Sequence, residues 1–143
     1  MGRILAIDYG KKRVGIAVTD LLQLIATPMT TVAAKDIFSF LHEYLSREPV
    51  ECIVVGEPRQ MNNTPSESVV FIDPFVNRLR KEFPEIKLAR IDERFTSLMA
   101  TKSIRESGVN RKRRQDKALV DTISATLILQ SYMESRDFLQ KDF

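Results

Sequence analysis

Three short apolar segments rich in isoleucine and valine stand at the front of the chain, and they constrain the fold more than any other feature. They span Arg3 to Ile7, Arg13 to Val18 and Leu24 to Val32, and turn-like residues separate them. Segments of this kind are typical of β-strands joined in a hairpin or meander. The chain is therefore predicted to begin with three antiparallel strands.

After these strands, helical and strand patterns alternate. Asp36 to Arg47 has apolar residues at helical spacing and is followed by Pro49, which predicts an amphipathic helix. The apolar run within Glu51 to Val55 is typical of a central strand buried on both faces. Further elements are expected as a helix from about Glu67 to Phe83, a strand over Ile86 to Ile91, a helix from Thr96 or Ser97 to Gly108, and a last helix from about Arg114 to Ser135. This order predicts an α/β fold with a mixed five-stranded sheet and helices on its faces.

The length and composition of the chain limit the kind of protein it forms. With 143 residues, 43% of them hydrophobic, it is long enough for one domain with a core and too short for two, so a single domain over residues 1–143 is expected. No apolar run reaches the roughly 18 to 20 residues that cross a bilayer. We therefore expect a soluble, cytoplasmic protein with no membrane partner. Cys52 is the sole cysteine, which excludes an intramolecular disulfide.

Positive charge is concentrated in two places. The formal net charge is only +3, but Lys102 to Lys117 holds seven cations and two acids. A local basic patch of this kind suggests an anionic partner such as nucleic acid. The cations expected to contact phosphates are Lys11, Lys12 and Arg13 in the first turn, and Arg111, Lys112, Arg113, Arg114 and Lys117 in the patch. A charge run is also common in a solvated loop, so the patch alone does not define a site.

Carboxylates follow or flank the predicted strands at the edge where sites of open α/β sheets gather. Asp8 comes directly after the first apolar run, and Asp92 and Glu93 follow the strand that ends at Ile91. Because successive strand side chains point to opposite faces, only one of that last pair can share a site with Asp8. The residue pattern leaves open which one. Glu57 is a fourth acid at a strand end.

Asp121 begins an otherwise apolar stripe on the last predicted helix. The other members of the stripe are Ala125, Ile128, Leu129 and Tyr132. A carboxylate on a burying face carries a desolvation cost unless a cation or a metal compensates it. Each acid also has a plain structural explanation: Asp8 could begin a turn, and Asp121 could pair with Lys117.

Asp8, Glu93 and Asp121 together would form a hard oxygen site suited to Mg²⁺ or Mn²⁺, with Glu57 as a possible fourth ligand. Metal ions bound by such carboxylates are the usual means of hydrolysing phosphodiester bonds. The sequence therefore favours a metal-dependent nuclease, in which these three acids are catalytic, over a module that only binds nucleic acid.

Four ordered motifs resemble those of the YqgF family of bacterial proteins, also called RuvX. They are IDYGKKRVGIAVTD, VVGEPRQMNNT, IDERFTS and KALVDTISATLIL, and together they extend from about Arg3 to Tyr132. The resemblance implies a ribonuclease H-like fold and kinship with the RuvC Holliday-junction resolvases. It also implies that Asp8, Glu93 and Asp121 form the acidic set, which favours Glu93 over Asp92.

The same resemblance implies processing of the 5′ end of the 16S ribosomal RNA precursor as the function. Resolution of four-way DNA junctions is the alternative, and it would require a dimer, whereas the sequence leaves a monomer or a weak dimer open. One departure concerns the loop after the fourth strand, where the family usually has GLPLNMDG and this chain has GEPRQMNN. The glutamate in that loop is Glu57, which could supply an extra metal ligand.

Overall fold

The structure is a computed structural model that describes the backbone of residues 2–57, 69–92 and 117–141. These residues contain five strands and three α-helices. The strands are β1 (Arg3–Tyr9), β2 (Arg13–Thr19), β3 (Ala26–Ala33), β4 (Val50–Glu57) and β5 (Lys87–Asp92). The helices are α1 (Ile37–Arg47), which follows a 3-10 turn at Ala34–Asp36, α2 (Val69–Glu82) and α3 (Lys117–Lys141). None of these helices is long and apolar enough to cross a membrane.

The five strands form one mixed sheet in the order β3-β2-β1-β4-β5. The first three strands pair antiparallel, whereas β4 runs parallel to β1 and β5 runs parallel to β4. This is the mixed sheet predicted from the sequence, with its antiparallel front end followed by alternating helices and strands. The arrangement is consistent with the ribonuclease H-like fold that the family resemblance implied.

The two faces of the sheet are covered by different helices. On one face, Leu5 and Ile7 of β1 pack with side chains of α1 and α2. On the other face, Ile4 and Ala6 pack with side chains of α3. We call these the α1/α2 face and the α3 face. Successive residues of a strand alternate between the two faces, so residues of one strand whose numbers are both even or both odd lie on the same face. We call this the parity of a strand residue, and it indicates which helices the side chain contacts.

The central position of β4 explains why its sequence is apolar without interruption. Cys52 and Val54 lie on the α3 face, whereas Ile53 and Val55 lie on the α1/α2 face, and all four are at most 3% exposed. A strand covered on both sides has no solvated face on which polar residues would be favourable. The prediction of a buried central strand is confirmed.

The boundaries of several elements differ from those expected. Strands β1 and β4 each continue two residues beyond their predicted ends, to Tyr9 and Glu57. Strand β3 begins at Ala26, because the Asp20 carboxylate accepts hydrogen bonds from the backbone N–H groups of Leu24 (2.8 Å) and Ile25 (2.9 Å) and closes a loop there. Helix α3 continues to Lys141, beyond the expected end at Ser135. The helix predicted from Thr96 or Ser97 to Gly108 lies outside the described residues.

Packing of α3 on the sheet should contribute strongly to stability. Leu129 is fully buried on the α3 face, so Leu129→Ala should lower the free energy of unfolding by about 2 to 5 kcal/mol, through lost burial and the cavity that remains. Leu22 is 63% exposed in the loop before β3, and Leu22→Ala should change the free energy of unfolding by less than about 0.5 kcal/mol. Urea unfolding of both variants measures the difference, and equal losses would contradict the packing of α3.

Candidate active site

Three parallel strands bring acidic positions to one edge of the sheet. In the parallel register Ile7 of β1 pairs with Val55 of β4, and Glu57 pairs with Asp92 of β5. Asp8, Glu57 and Asp92 therefore lie at the carboxyl ends of adjacent strands. This is the edge at which ligands bind in open α/β sheets.

Asp8 belongs to the α3 face of β1. It continues the parity of Ile4 and Ala6, which pack against α3, and it is partly buried. Its register partner across the antiparallel pair is Gly15 of β2. Because directly opposite residues in a sheet share a face, Gly15 also lies on the α3 face.

Gly15 allows the start of α3 to approach the sheet very closely. A Cβ atom built on Gly15 would lie 2.2 Å from the backbone oxygen of Asp121 and 3.1 Å from its Cβ. No side chain can be accommodated at that distance, so glycine is required. As a result, Asp121 of the helix and Asp8 of the strand flank the same glycine.

A second contact anchors the same part of α3. Thr31 of β3 pairs with Gly15 in the sheet, and its hydroxyl lies 2.6 Å from the hydroxyl of Thr122. Asp8, Gly15 and Thr31 thus form a row across three strands, and Asp121 and Thr122 lie over it. The position of Asp121 is determined by two adjacent strands.

Asp121 forms an ion pair with a cation of the first turn. The Nε atom of Arg13 donates a hydrogen bond to Asp121 Oδ2 at 2.8 Å. The two side chains are 39% and 22% exposed, so the pair is partly shielded from solvent. The sequence suggested Lys117 as a structural partner of Asp121, but the Lys117 side chain lies outside what the structure describes, and the partner that it shows is Arg13. Arg13 was expected to contact phosphate, and its Nε here contacts a carboxylate.

The turn between β1 and β2 presents the remaining cations of the first motif. The backbone N–H of Gly10 donates to the Arg13 carbonyl at 2.9 Å, and the Lys12 carbonyl accepts from the Ala34 N–H at 2.9 Å. Lys11 and Lys12 have exposed side chains on this fixed turn. A surface cavity of about 330 Å³ lies between the turn and Asp121. The turn therefore places positive charge beside the acidic edge.

Several predicted site residues lie beyond what the structure describes. Glu93, Arg111, Lys112, Arg113 and Arg114 are outside the described residues, and for Glu57, Asp92 and Lys117 only the backbone is described. Among the residues whose side chains are described, no group of three or more His, Cys, Asp or Glu could hold a metal ion. Asp8 and Asp121 are the two predicted ligands whose side chains are described.

A second cavity, of about 680 Å³, lies at the opposite edge of the sheet. Its polar groups are bonded to one another: Gln23 Nε2 donates to the Gly2 carbonyl at 2.7 Å and to the Glu51 carboxylate, while Arg136 donates to Gln23 Oε1 at 2.5 Å. The hydrogen bond from Gln23 lowers the pKa of Glu51. This cavity contains hydrogen bonds centred on Gln23, and none of the predicted site residues lines it.

Comparison with known proteins identifies the family of the chain. The chain belongs to the RuvX family, since the family model described as Holliday junction resolvase matches residues 2–135. Membership of this family places the chain among the nucleases, which are hydrolases.

Curated relatives match over nearly the whole chain. A protein of Phocaeicola vulgatus is 55% identical over 97% of this chain and 100% of its own length, and one of Bacteroides thetaiotaomicron is 54% identical over 96% and 100%. A protein of Parabacteroides distasonis is 51% identical over 96% of this chain and 99% of its own. Each of the three is named "Putative pre-16S rRNA nuclease".

Sequence reasoning missed the role of Gly15, although an isolated glycine inside a predicted strand is a signal of close backbone approach. We expect Gly15→Ala to lower the free energy of unfolding by about 1 to 3 kcal/mol, because the new methyl group would displace α3 from β2. Urea unfolding gives the sign directly. Without the close approach, alanine in place of a strand glycine should raise stability by roughly 0.5 to 1 kcal/mol, so an increase would contradict the geometry.

Proposed function

We propose that this nuclease is a metal-dependent endonuclease that cuts structured RNA, and that its substrate is the 5′ end of the 16S ribosomal RNA precursor. The observation that carries the proposal is that Asp8 is the register partner of Gly15, and that Asp121 closely approaches the same glycine beside the cations of the first turn. The names of the relatives support the choice of substrate.

The chemistry of the site fits a hard divalent cation. Mg²⁺ is commonly held by one or two carboxylates together with substrate phosphates, and Asp8 and Asp121 offer two carboxylates. The Arg13 guanidinium on Asp121 shows that this carboxylate already attracts a cation. When bound, Mg²⁺ or Mn²⁺ would supply an activated water and charge stabilisation for phosphodiester hydrolysis.

Strand alternation supports Glu93 as the third acid. Ala89 and Ile91 of β5 pack on the α3 face, where Asp8 and Asp121 lie. Residue 93 comes directly after the last described residue of β5, and continued alternation would assign it to that face. Asp92 has the parity of Leu88, which packs on the α1/α2 face. The assignment of Glu93 as a ligand is therefore favoured by the same rule that assigns Asp8 to its face.

The same rule makes Glu57 a weaker candidate. Position 57 has the parity of Ile53 and Val55, whose side chains lie on the α1/α2 face, opposite to Asp8. A ligand role would require the end of β4 to depart from regular alternation. Glu57 stays a predicted fourth ligand, and it is the least supported of the four.

We propose that two groups of cations bind and orient the polyanionic substrate. Lys11 and Lys12 are exposed beside the acidic edge, so they are placed to contact phosphates next to the cleaved bond. The patch of Arg111 to Arg114 and Lys117 directly precedes Asp121 in the sequence, and we propose that it follows the backbone farther away. Phosphate contacts of this kind determine register and orientation.

Resolution of four-way DNA junctions is the second candidate, and the description of the matching family favours it. A resolvase makes paired, symmetric cuts and so needs two active sites in a dimer. RNA processing needs only one site. The two functions can therefore be separated by their products.

Asp8→Asn should abolish cleavage of precursor 16S ribosomal RNA in the presence of Mg²⁺ or Mn²⁺, because it removes the charge of a proposed ligand without changing its size. The matched control is Asp73→Asn, which alters an exposed acid on α2 and should cut like the wild type. Gel analysis of end-labelled precursor RNA and of four-way DNA junctions measures both activities.

Each outcome of that assay has a distinct meaning. Equal cleavage by Asp8→Asn and wild type would show that the assigned mechanism is wrong. Symmetric paired cuts in the junction, with intact precursor RNA, would favour the resolvase. Tight binding of either substrate without any cut would favour a module that only binds nucleic acid.

Lys12→Gln should weaken RNA binding and make it less dependent on salt, because one phosphate contact is lost. The slope of log affinity against log salt concentration should become shallower by about 0.7 to 0.9. Lys81→Gln, which removes an exposed charge near the end of α2, is the control and should leave the slope unchanged. Fluorescence anisotropy at several salt concentrations measures both, and equal slopes for the two variants would remove Lys12 from the interface.

A further inference from the structure

We infer that Arg13 is a built-in counter-ion of the active site, which neutralises Asp121 until a divalent metal ion takes its place and releases its guanidinium for the substrate. The inference rests on the proposed function, because it concerns the metal that Asp121 is proposed to bind. It assigns to Arg13 a role in controlling metal loading, in addition to phosphate binding.

The backbone of Arg13 is held firmly, whereas its side chain is partly free to move. Arg13 begins β2, pairs with Ala33 in the sheet, and accepts the Gly10 N–H on its carbonyl at 2.9 Å. Its side chain is 39% exposed and extends to Asp121 through Nε. The guanidinium can therefore leave Asp121 without disturbing the turn or the strand.

A metal ion and the guanidinium would compete for the same carboxylate. Arg13 Nε lies 2.8 Å from Asp121 Oδ2, within hydrogen-bond distance of an oxygen that a metal would also need. A metal ion and the Arg13 guanidinium bound to the same carboxylate would repel each other, because both are positively charged. Lys11 and Lys12 of the same turn add to this repulsion. Binding of a divalent ion at Asp121 should therefore expel Arg13.

The released guanidinium would enter the cavity that Lys11 and Lys12 also line. A guanidinium recognises phosphate through two parallel hydrogen bonds, which suits it to a nucleic-acid backbone. Metal binding would thereby create a phosphate contact. By linkage, phosphate bound to Arg13 would strengthen metal binding by the same factor.

This arrangement gives the metal-free protein a defined resting state. The ion pair compensates the charge of Asp121, which is only 22% exposed, and connects the start of α3 to β2. Because compensation of a partly buried carboxylate is favourable, the site stays ordered before a metal arrives. Metal binding then replaces one cation by another.

The test is a titration of the full chain with Mn²⁺, followed by the electron paramagnetic resonance signal of the free ion. Arg13→Gln should bind Mn²⁺ about fivefold more tightly than the wild type, the factor expected when a partly exposed ion pair no longer competes. Lys12→Gln is the matched control, because it removes the same charge one residue away without touching the pair. Its gain in affinity should be clearly smaller.

A gain in metal affinity cannot result from damage to the fold, which would weaken binding. Equal affinities of Arg13→Gln and Lys12→Gln, or weaker binding by Arg13→Gln, would overturn the inference. If Arg13→Gln does not fold, Arg13→Met serves instead, because it also removes the charge and keeps an aliphatic side chain, and a Mn²⁺ affinity no higher than that of Lys12→Gln would overturn the inference equally. Binding by Arg13→Gln but not by the wild type would support it.

The proposed function has a separate test, so the two can fail independently. If Asp8→Asn abolishes cleavage while Arg13→Gln and Lys12→Gln bind Mn²⁺ alike, only the counter-ion role is wrong. If Asp8→Asn cuts like the wild type, the mechanism fails whatever the titration shows.

Discussion

The close approach of α3 to β2 at Gly15 is the contact on which the rest of the site depends. At this point a helix backbone replaces the side chain that any other residue would place on the sheet. The approach brings Asp121 to the glycine that is the register partner of Asp8, and it places Asp121 within reach of Arg13. A single absent Cβ thus allows the helix acid Asp121 to pair with the turn cation Arg13 on the face of the sheet that carries Asp8.

Coverage of both sheet faces makes this contact precise. Helix α3 packs through Ala125, Ile128 and Leu129 on one face, and α1 and α2 pack on the other. Side chains in a close-packed interior occupy defined rotamers, so a helix fixed by them has little freedom to shift. The hydroxyl contact between Thr31 and Thr122 adds a directional constraint at the same place. Packing determines the position of the helix, and the polar contact determines its register.

Much of the fold could be predicted because hydrophobic pattern reports burial directly. The three front strands, the buried strand at Cys52 to Val55 and the apolar stripe of α3 were all visible in the sequence and are confirmed. The start of β3 could not be predicted, since Leu24 has the apolar character of a strand residue. Its backbone instead bonds to the Asp20 carboxylate, and its side chain is 69% exposed. Local side-chain hydrogen bonds of this type compete with strand pairing and leave little trace in hydropathy.

The candidate site was predictable in part for the same reason. An acid at the end of an apolar strand and another on an apolar helix stripe both stand out in the sequence, so Asp8 and Asp121 could be predicted as candidate site residues. The pairing of Arg13 with Asp121 could not be predicted, because it joins residues 108 positions apart and depends on how α3 lies on β2. Such a contact follows from tertiary structure and has no local sequence signature.

The large sequence separation of Arg13 and Asp121 affects the order in which contacts form during folding. The hairpin of β1 and β2 can form early, since its contacts are local, whereas Asp121 arrives with the last helix. Contacts between distant residues are formed late and at a high entropic cost. The pair of Arg13 and Asp121 can therefore form only once α3 has packed on β2, later than the local hairpin that carries Arg13.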